Sequence, residues 1–212
     1  VAMFDWPSMR DAGRIHLPDG REITDFAISP DGQSVEMLGE DVGQVKLYRS
    51  PLHAGEAALV GAPARGMYSN LEIGGSRSPV GIAAYQSASE PPEIVRLHAD
   101  GRGFQRLTSF ASAKAAALDL PAVENFWFSN QRGQRIHNMI VRPPAFDPAK
   151  KYPLLVLMHG GPYSQWQDAW VLRWNYHLLS ADGYVLLLTN YVGSTSQGET
   201  FAQAIQGDPL KG

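Results

Sequence analysis

YPLLVLMHGGP, residues 152–162, is an apolar run that ends in His-Gly-Gly-Pro. Residues 154–158 (LLVLM) show no alternation of apolar and polar side chains. An uninterrupted run of this length, closed by glycines, is typical of a strand that is buried on both faces, as in a parallel sheet. The stretch therefore predicts an inner strand of an α/β sheet.

The sequence after this strand predicts a helix and a second parallel strand. Trp166, Trp170, Trp174 and Leu178 recur every four residues, which predicts a helix over 165–181 with one apolar stripe facing the sheet. Residues 184–188 (YVLLL) predict a second buried strand. A strand, a helix and a strand in this order form a βαβ unit, so we expect the two strands to be parallel. A further helix is predicted over 199–205.

Residues 1 to about 110 have a different pattern, of short apolar segments separated by turn residues. The predicted strands are 23–28, 35–38, 45–48, 68–73, 80–85, 93–97 and 104–107. The predicted turns include Ser29-Pro30-Asp31-Gly32, Gly74-Gly75, Pro91-Pro92 and Asp100-Gly101, and Glu40-Asp41 before Gly43 is also interpreted as a turn. About 42 residues separate Phe26 from Tyr68, close to the period of a propeller blade. The spacing leaves open a β-propeller or a single antiparallel sandwich.

The connection between the two patterns contains one short predicted helix and two more predicted strands. The Ala-rich residues 109–120 predict the connecting helix, and Pro121 closes it. Residues 123–129 and 135–141 predict strands on either side of Gln131-Arg132-Gly133.

The composition excludes several classes of protein. With 18 basic and 21 acidic residues the net charge is −3, so we expect no nucleic-acid partner. The chain has no cysteine, which excludes a disulfide scaffold, thiolate metal sites and a cysteine nucleophile. No apolar run approaches the roughly 20 residues of a membrane span. Charged residues near the N-terminus predict no signal peptide in this stretch, and the compartment, cytoplasmic or periplasmic, stays open.

The glycines after the first buried strand are the candidate site. In α/β-hydrolases the loop after this strand supplies one backbone N–H of the oxyanion hole. Glycine suits such a loop because the backbone must approach the substrate oxygen without a Cβ in the way. His159, Gly160 and Gly161 are therefore the candidate oxyanion loop, with Gly161 N–H as the donor. The alternative is a tight turn that needs glycine only for its dihedral angles.

A wider set of motifs lies at residues 28–32, 91–94, 106–108, 152–162, 190–195, 201–205 and 207–209. Together these motifs resemble the prolyl oligopeptidase family of serine peptidases, and in particular its acylaminoacyl-peptidase and dipeptidyl-peptidase branches. The resemblance implies the C-terminal blades of a β-propeller at 1–118 and the N-terminal part of an α/β-hydrolase domain at 119–212. It also implies a peptidase that hydrolyses short peptides by acyl transfer and needs no cofactor.

The chain also departs from the family pattern. Members carry a Gly-x-Ser-x-Gly nucleophile followed by an Asp and a His, and no Gly-x-Ser-x-Gly occurs in these 212 residues. We therefore expect none of the catalytic triad here, no activity from this chain alone, and an internal piece of a larger peptidase. Val192 stands where the family usually has Arg. Ser194, Thr195 and Ser196 are interpreted as a loop, because the sequence identifies no base beside them.

The remaining candidates and alternatives are few. The six histidines have no metal-ligand spacing, so no metal site is predicted. His177 is interpreted as a solvated residue or a partner at a helix end, and the tryptophan stripe as core. Two other functions stay open: a non-catalytic propeller module with a truncated hydrolase remnant, and a lipase-like esterase. Homo-oligomerisation also stays open.

Overall fold

A computed structural model of the protein describes residues 1–53, 55–75, 79–98, 100–101, 103–161 and 163–208. Pro162 and Pro209, which belong to the motifs above, lie outside these residues. Strands dominate and the few helices are short. The first eleven strands are β1 (Ala2–Asp5), β2 (Arg10–His16), β3 (Ile23–Ile28), β4 (Ser34–Asp41), β5 (Gln44–Pro51), β6 (Gly55–Glu56), β7 (Ala58–Gly61), β8 (Met67–Gly74), β9 (Val80–Ser87), β10 (Glu90–Leu97) and β11 (Phe104–Arg106). The later elements are α1 (Ser112–Ala115), β12 (Glu124–Ser129), β13 (Arg135–Val141), β14 (Leu154–Met158), α2 (Tyr176–Ser180), β15 (Val185–Asn190) and α3 (Glu199–Gln203).

The strands form three sheets. A three-stranded sheet has the order β1-β2-β6, and an eight-stranded sheet has the order β11-β10-β9-β8-β5-β4-β3, with β7 paired to β5. The eight-stranded sheet consists of two antiparallel groups, because β5 and β8 meet in parallel at a single residue pair, Val45 and Met67. The side chains buried between these groups include Leu38, Tyr68 and Val95. All seven strands predicted in this region are present.

The four-stranded sheet has the order β12-β13-β15-β14. The predicted parallel pairing is confirmed: β14 and β15 run parallel, with Leu154 opposite Val185 and Met158 opposite Thr189. Leu186 and Leu188 of β15 are fully buried in a core that also contains Ala88, from the turn after β9. The core of this sheet therefore includes a residue from the turn between two strands of the eight-stranded sheet.

One face of β14 contradicts the prediction that the strand is buried on both sides. Leu154, Val156 and Met158 are 57 %, 48 % and 74 % exposed, whereas Leu155 and Leu157 pack into the core. Since side chains alternate along a strand, Leu155 and Leu157 point to the face that packs into the core, and Leu154, Val156 and Met158 point to the opposite, exposed face. A pattern that lacks alternation does not by itself show that both faces are covered.

The predicted helix over 165–181 is wrong in most of its length. Only α2 is helical, and it begins after Asn175, whose side chain accepts a hydrogen bond from Leu178 N. Residues 165–170, here called the docking segment, form no helix. Polar groups of Gln165, Gln167, Asp168 and Trp170 bond to the eight-stranded sheet instead, as described below. Trp174 and Leu178 are 50 % and 74 % exposed, so the predicted stripe does not face the sheet.

Two turn predictions are also wrong. Pro91 and Pro92 lie inside β10, where its pairing with β9 shifts register. Because the two strands are not regularly paired at this point, the prolines, which have no N–H, do not interrupt the hydrogen bonds between the strands. Glu40 and Asp41 are the last residues of β4, and the turn follows at Val42 and Gly43. The helices predicted over 109–120 and 199–205 exist only as the short α1 and α3.

Candidate active site

The glycine loop, here His159, Gly160 and Gly161, follows directly after the carboxyl end of β14. Gly161 has φ +137°, and a Cβ built there would lie 2.9 Å from Tyr163 N, so a larger residue would force the loop to shift. Gly160 and Gly161 are exposed, and neither N–H donates to a described residue. Both N–H groups are therefore free to bind an acceptor from outside the described part of the chain.

His159 is held from three sides. Its ring stacks on Tyr191 at 4.5 Å between centroids, and Tyr191 Oη donates to the His159 carbonyl oxygen at 2.7 Å. Nε2 lies 2.7 Å from Ser194 Oγ, and Nδ1 lies 3.0 Å from Gly160 O. Burial lowers the pKa of His159, so the ring is neutral at pH 7. Both ring nitrogens thus face oxygen atoms of the protein itself, and the neutral ring carries a proton on only one of them.

The position of Ser194 corrects the sequence interpretation that no base lies beside it. Its hydroxyl contacts His159, a residue type that serves as the base in many enzymes, and also donates to Tyr191 O at 2.6 Å. Ser194 is fully buried, however, so its Oγ has no route to a substrate carbon. The Ser194–His159 pair therefore joins two loops rather than forming a nucleophile and base.

An open cleft lies beside the glycine loop. Its volume is about 390 Å³, and its lining includes Met158, His159, Gly160, Trp166 and Trp174. The walls are largely apolar and aromatic, with the Gly160 backbone at one side. Such a combination suits an apolar side chain or acyl group held next to hydrogen-bond donors.

Glu40 is a buried carboxylate close to the loop that follows β15. It is 9 % exposed, accepts from the hydroxyl of Thr195, and accepts from Gln167 Nε2 at 3.0 Å. Burial is the largest cause of its raised pKa, and the negative charge of Glu22 adds to it. Glu40 therefore ties β4 to the docking segment and to the loop containing Ser194.

His137 and Asn190 form a second buried pair, on neighbouring strands. His137 Nε2 lies 2.9 Å from Asn125 Oδ1, and Asn190 Nδ2 lies 3.1 Å from His137 Nδ1, which makes Nε2 the protonated nitrogen. Asn190 also holds the backbone of Trp166, accepting from its N–H at 2.7 Å and donating to its carbonyl at 3.1 Å. Burial lowers the pKa of His137 to about 4.

Other candidates contribute no chemistry. His177 is buried rather than solvated, and its Nε2 lies 2.8 Å from Pro121 O. In the described part of the chain, no three His, Asp or Glu side chains lie close enough together to hold a metal ion. No described helix is long and apolar enough to span a membrane.

The residues that the sequence analysis missed are polar and buried: Glu40, His137 and Asp168. Asp168 was part of the predicted helix, and Glu40 was interpreted as a turn residue. A signal for each existed, since each is a charged or titratable residue within an otherwise apolar or structured stretch. Their partners, however, lie far away in sequence and carry no motif.

Comparison with known proteins identifies similar sequences among the dipeptidyl-peptidases. Dipeptidyl-peptidase 5 of Arthroderma otae is 30 % identical over 204 residues, which cover 95 % of this chain and 28 % of that protein. Dipeptidyl-peptidase 5 of Schizosaccharomyces pombe is 42 % identical over 91 residues, 43 % of this chain and 13 % of that protein. The chain thus spans about a quarter of the Arthroderma relative. No family model matches the chain.

Solved structures show the same fold. Acylaminoacyl peptidase of Pyrococcus horikoshii superposes with a TM-score of 0.71 at 21 % identity, over 88 % of this chain and 28 % of that one. Dipeptidyl peptidase 4 of Porphyromonas gingivalis superposes with a TM-score of 0.69 at 19 % identity, over 96 % of this chain and 29 % of that one.

Proposed function

Because this chain belongs to the prolyl oligopeptidase family of serine peptidases, we propose that it is part of an enzyme that hydrolyses short peptides by acyl transfer. The names of its relatives favour a dipeptidyl- or acylaminoacyl-peptidase as the complete protein. In such a reaction a serine attacks the scissile carbonyl, a histidine carries the proton, and backbone N–H groups stabilise the oxyanion.

The two sequence patterns of the chain would then correspond to two domains. Residues 1–118 would be blades of a β-propeller, and residues 119–212 would begin the α/β-hydrolase domain. The two antiparallel groups of the eight-stranded sheet, which meet at a single residue pair, support two adjacent blades. The parallel β14–β15 pair, with its loops at one edge, supports the hydrolase assignment.

Gly161 N–H is the proposed oxyanion donor, and this position carries the proposal. Gly161 is exposed, its N–H has no acceptor among the described residues, and it lies after the carboxyl end of a parallel strand, where α/β folds bind their ligands. His159 and Gly160 complete the loop. The nucleophile, the acid and the base would come from parts of the protein outside these 212 residues.

The test uses the full-length protein with Gly161→Ala. Alanine at φ +137° is strained, and its Cβ would contact Tyr163 N, so the loop must move and the donor with it. Loss of one oxyanion donor lowers kcat by about 100- to 1,000-fold with little change in KM. The substrates are a dipeptidyl anilide, an acyl-amino-acid anilide and a matching ester.

Gly74→Ala is the matched control, because Gly74 lies at the end of β8, outside the site, and no atom of the described residues stands within 4 Å of the place that a Cβ would take there. It should retain kcat. A folded Gly161→Ala enzyme with normal kcat would show that Gly161 is needed only for the turn and is not the oxyanion donor. Cleavage of the ester alone would favour the esterase, and a full-length protein without turnover would favour the binding module.

A further inference from the structure

Asp168 is a buried carboxylate that binds the eight-stranded sheet through backbone groups. It is 5 % exposed; Oδ2 accepts from Gly66 N at 2.7 Å, and Oδ1 accepts from Ala88 N at 2.8 Å. Its own N–H donates to Gly43 O at 2.8 Å. These three partners lie in three different turns, after β4, before β8 and after β9. One side chain and its backbone therefore bring three turns together.

Other residues of the docking segment bind the eight-stranded sheet at the same turns and strand ends. Gly43 N donates to Gln165 Oε1 at 3.0 Å, and Trp170 N donates to Gln86 Oε1 at 3.1 Å. Gln167 Nε2 donates to Glu40, as described above. A segment without helical hydrogen bonds must satisfy its buried polar groups elsewhere. Here the eight-stranded sheet supplies partners for Gln165 Oε1, Asp168 and Trp170 N, and the four-stranded sheet supplies those of Trp166.

The docking segment is also fixed to the glycine loop. Gln165 is only four residues after Gly161, and Trp166 Nε1 donates to Leu157 O at 3.0 Å, in the strand that leads into the loop. Ser164 O accepts from Thr195 N at 3.0 Å. A shift of the docking segment would therefore move the residues on both sides of Gly161.

We propose that Asp168 is a positioning residue, through which the turns of the eight-stranded sheet set the location of the Gly161 N–H. This inference rests on the proposed function, since it concerns the same oxyanion donor. It assigns the N-terminal part of the chain a role in the reaction itself, beyond any role in admitting substrate. Among the described residues, the hydrogen bonds of the Asp168 carboxylate are to the backbone N–H groups of Gly66 and Ala88, so its effect on the glycine loop would be indirect.

The experiment is Asp168→Asn in the full-length protein. The amide has one acceptor oxygen, so its NH₂ group faces either Gly66 N–H or Ala88 N–H, and one of these loses its partner. We expect kcat to fall by about 10- to 100-fold, as for small misplacements of a catalytic group, with KM nearly constant. Hydrogen exchange should accelerate at Gly66 and Ala88, whose N–H groups bind Asp168, and at Trp166 and Thr195, whose N–H groups are hydrogen-bonded beside the glycine loop.

Two further variants complete the test. Asp182→Asn, at an exposed turn after α2, is the matched control and should change neither kcat nor exchange. Gln86→Ala changes a residue of the eight-stranded sheet and removes the acceptor of Trp170 N. The sequences of the docking segment and the glycine loop stay unaltered, so a loss of kcat would have to come from the contact with the sheet. It serves in place of Asp168→Asn if that variant does not fold.

The outcomes separate this inference from the proposed function. Normal kcat in folded Asp168→Asn overturns the inference, and so does a parallel change of kcat and KM with faster exchange throughout the protein. If the unaltered protein hydrolyses no substrate, the proposed function fails and exchange decides alone. Unchanged exchange at Trp166 and Thr195 in Asp168→Asn then overturns the coupling, and faster exchange there supports it.

Discussion

At the scale of single residues, two buried serine hydroxyl groups differ in the hydrogen bonds that they form. Ser194 bonds to His159 and to Tyr191 O, and through them it fixes the glycine loop to the loop after β15. Ser196, two residues later, is equally buried, and its Oγ has no hydrogen-bond partner among the described residues. The two serines therefore provide a matched pair.

We predict that Ser194→Ala lowers the free energy of unfolding by about 1–3 kcal/mol, because it leaves His159 Nε2 buried without a partner. Ser196→Ala removes an unpaired hydroxyl and should be neutral or slightly stabilising. Urea unfolding of both variants at pH 7 measures the difference. Equal losses in the two variants would show that the Ser194–His159 contact contributes nothing.

The sequence could predict only part of the site at this scale. His159, Gly160 and Gly161 were identified because a strand, two glycines and a neighbouring motif are local. Asp168 and Glu40 could not be found in this way, since Asp168 binds Gly66 and Ala88, 102 and 80 residues away, and Glu40 binds Thr195, 155 residues away. Such contacts depend on how two sheets meet.

At the scale of elements, the docking segment shows how tertiary contacts override a helical pattern. The spacing of Trp166, Trp170 and Trp174 satisfied the helical period, but Gln165, Gln167 and Asp168 lie beside them in the chain and bond to another sheet. A local stripe of tryptophans is weak evidence when polar residues with distant partners interrupt it.

The tryptophans should consequently differ in their contribution to stability. Trp166 packs into the core of the four-stranded sheet and its indole donates to Leu157 O, whereas Trp174 is 50 % exposed. We predict that Trp166→Ala costs about 3 kcal/mol and Trp174→Ala less than about 1 kcal/mol. Thermal and urea unfolding measure both. Similar losses would mean that the helical stripe of the sequence prediction forms after all.

Strands were predicted more reliably than helices, for a physical reason. Segments such as 23–28 and 135–141 alternate or are apolar and end at turn residues, so their pattern is local. The missed β1 and β2 belong to the three-stranded sheet and are largely exposed, and Arg10, Asp11 and Arg14 of β2 hide the apolar pattern. The missed β6 and β7 are too short to show a period.

At the scale of the whole molecule, the eight-stranded and four-stranded sheets meet through buried polar groups rather than ion pairs. No ion pair between described residues joins residues 1–118 to residues 119–208. The contact uses the carboxylates of Glu40 and Asp168, with neutral His137 beside Gly43. Its strength should therefore depend on pH more than on salt.

The titration of His137 determines whether acid raises or lowers the stability of this contact. The unfolded residue binds a proton near pH 6.5, whereas the folded residue does so near pH 4, because burial opposes the charge and so lowers its pKa. Between these values the unfolded chain binds more protons, so acidification favours unfolding, and the loss reaches about 3 kcal/mol at pH 4. The raised pKa of Glu40 acts in the opposite direction, which makes a variant necessary to isolate His137.

We therefore predict that His137→Gln is less stable than the unaltered protein at pH 7, because glutamine cannot reproduce both hydrogen bonds of the ring. It should also lose less stability between pH 6.5 and pH 4, since glutamine does not titrate. His53→Gln, at an exposed position, is the control and should keep the original slope. Urea unfolding at several pH values measures all three slopes. If His137→Gln keeps the full slope, the acid sensitivity arises elsewhere, and the boundary between the sheets does not depend on a neutral His137.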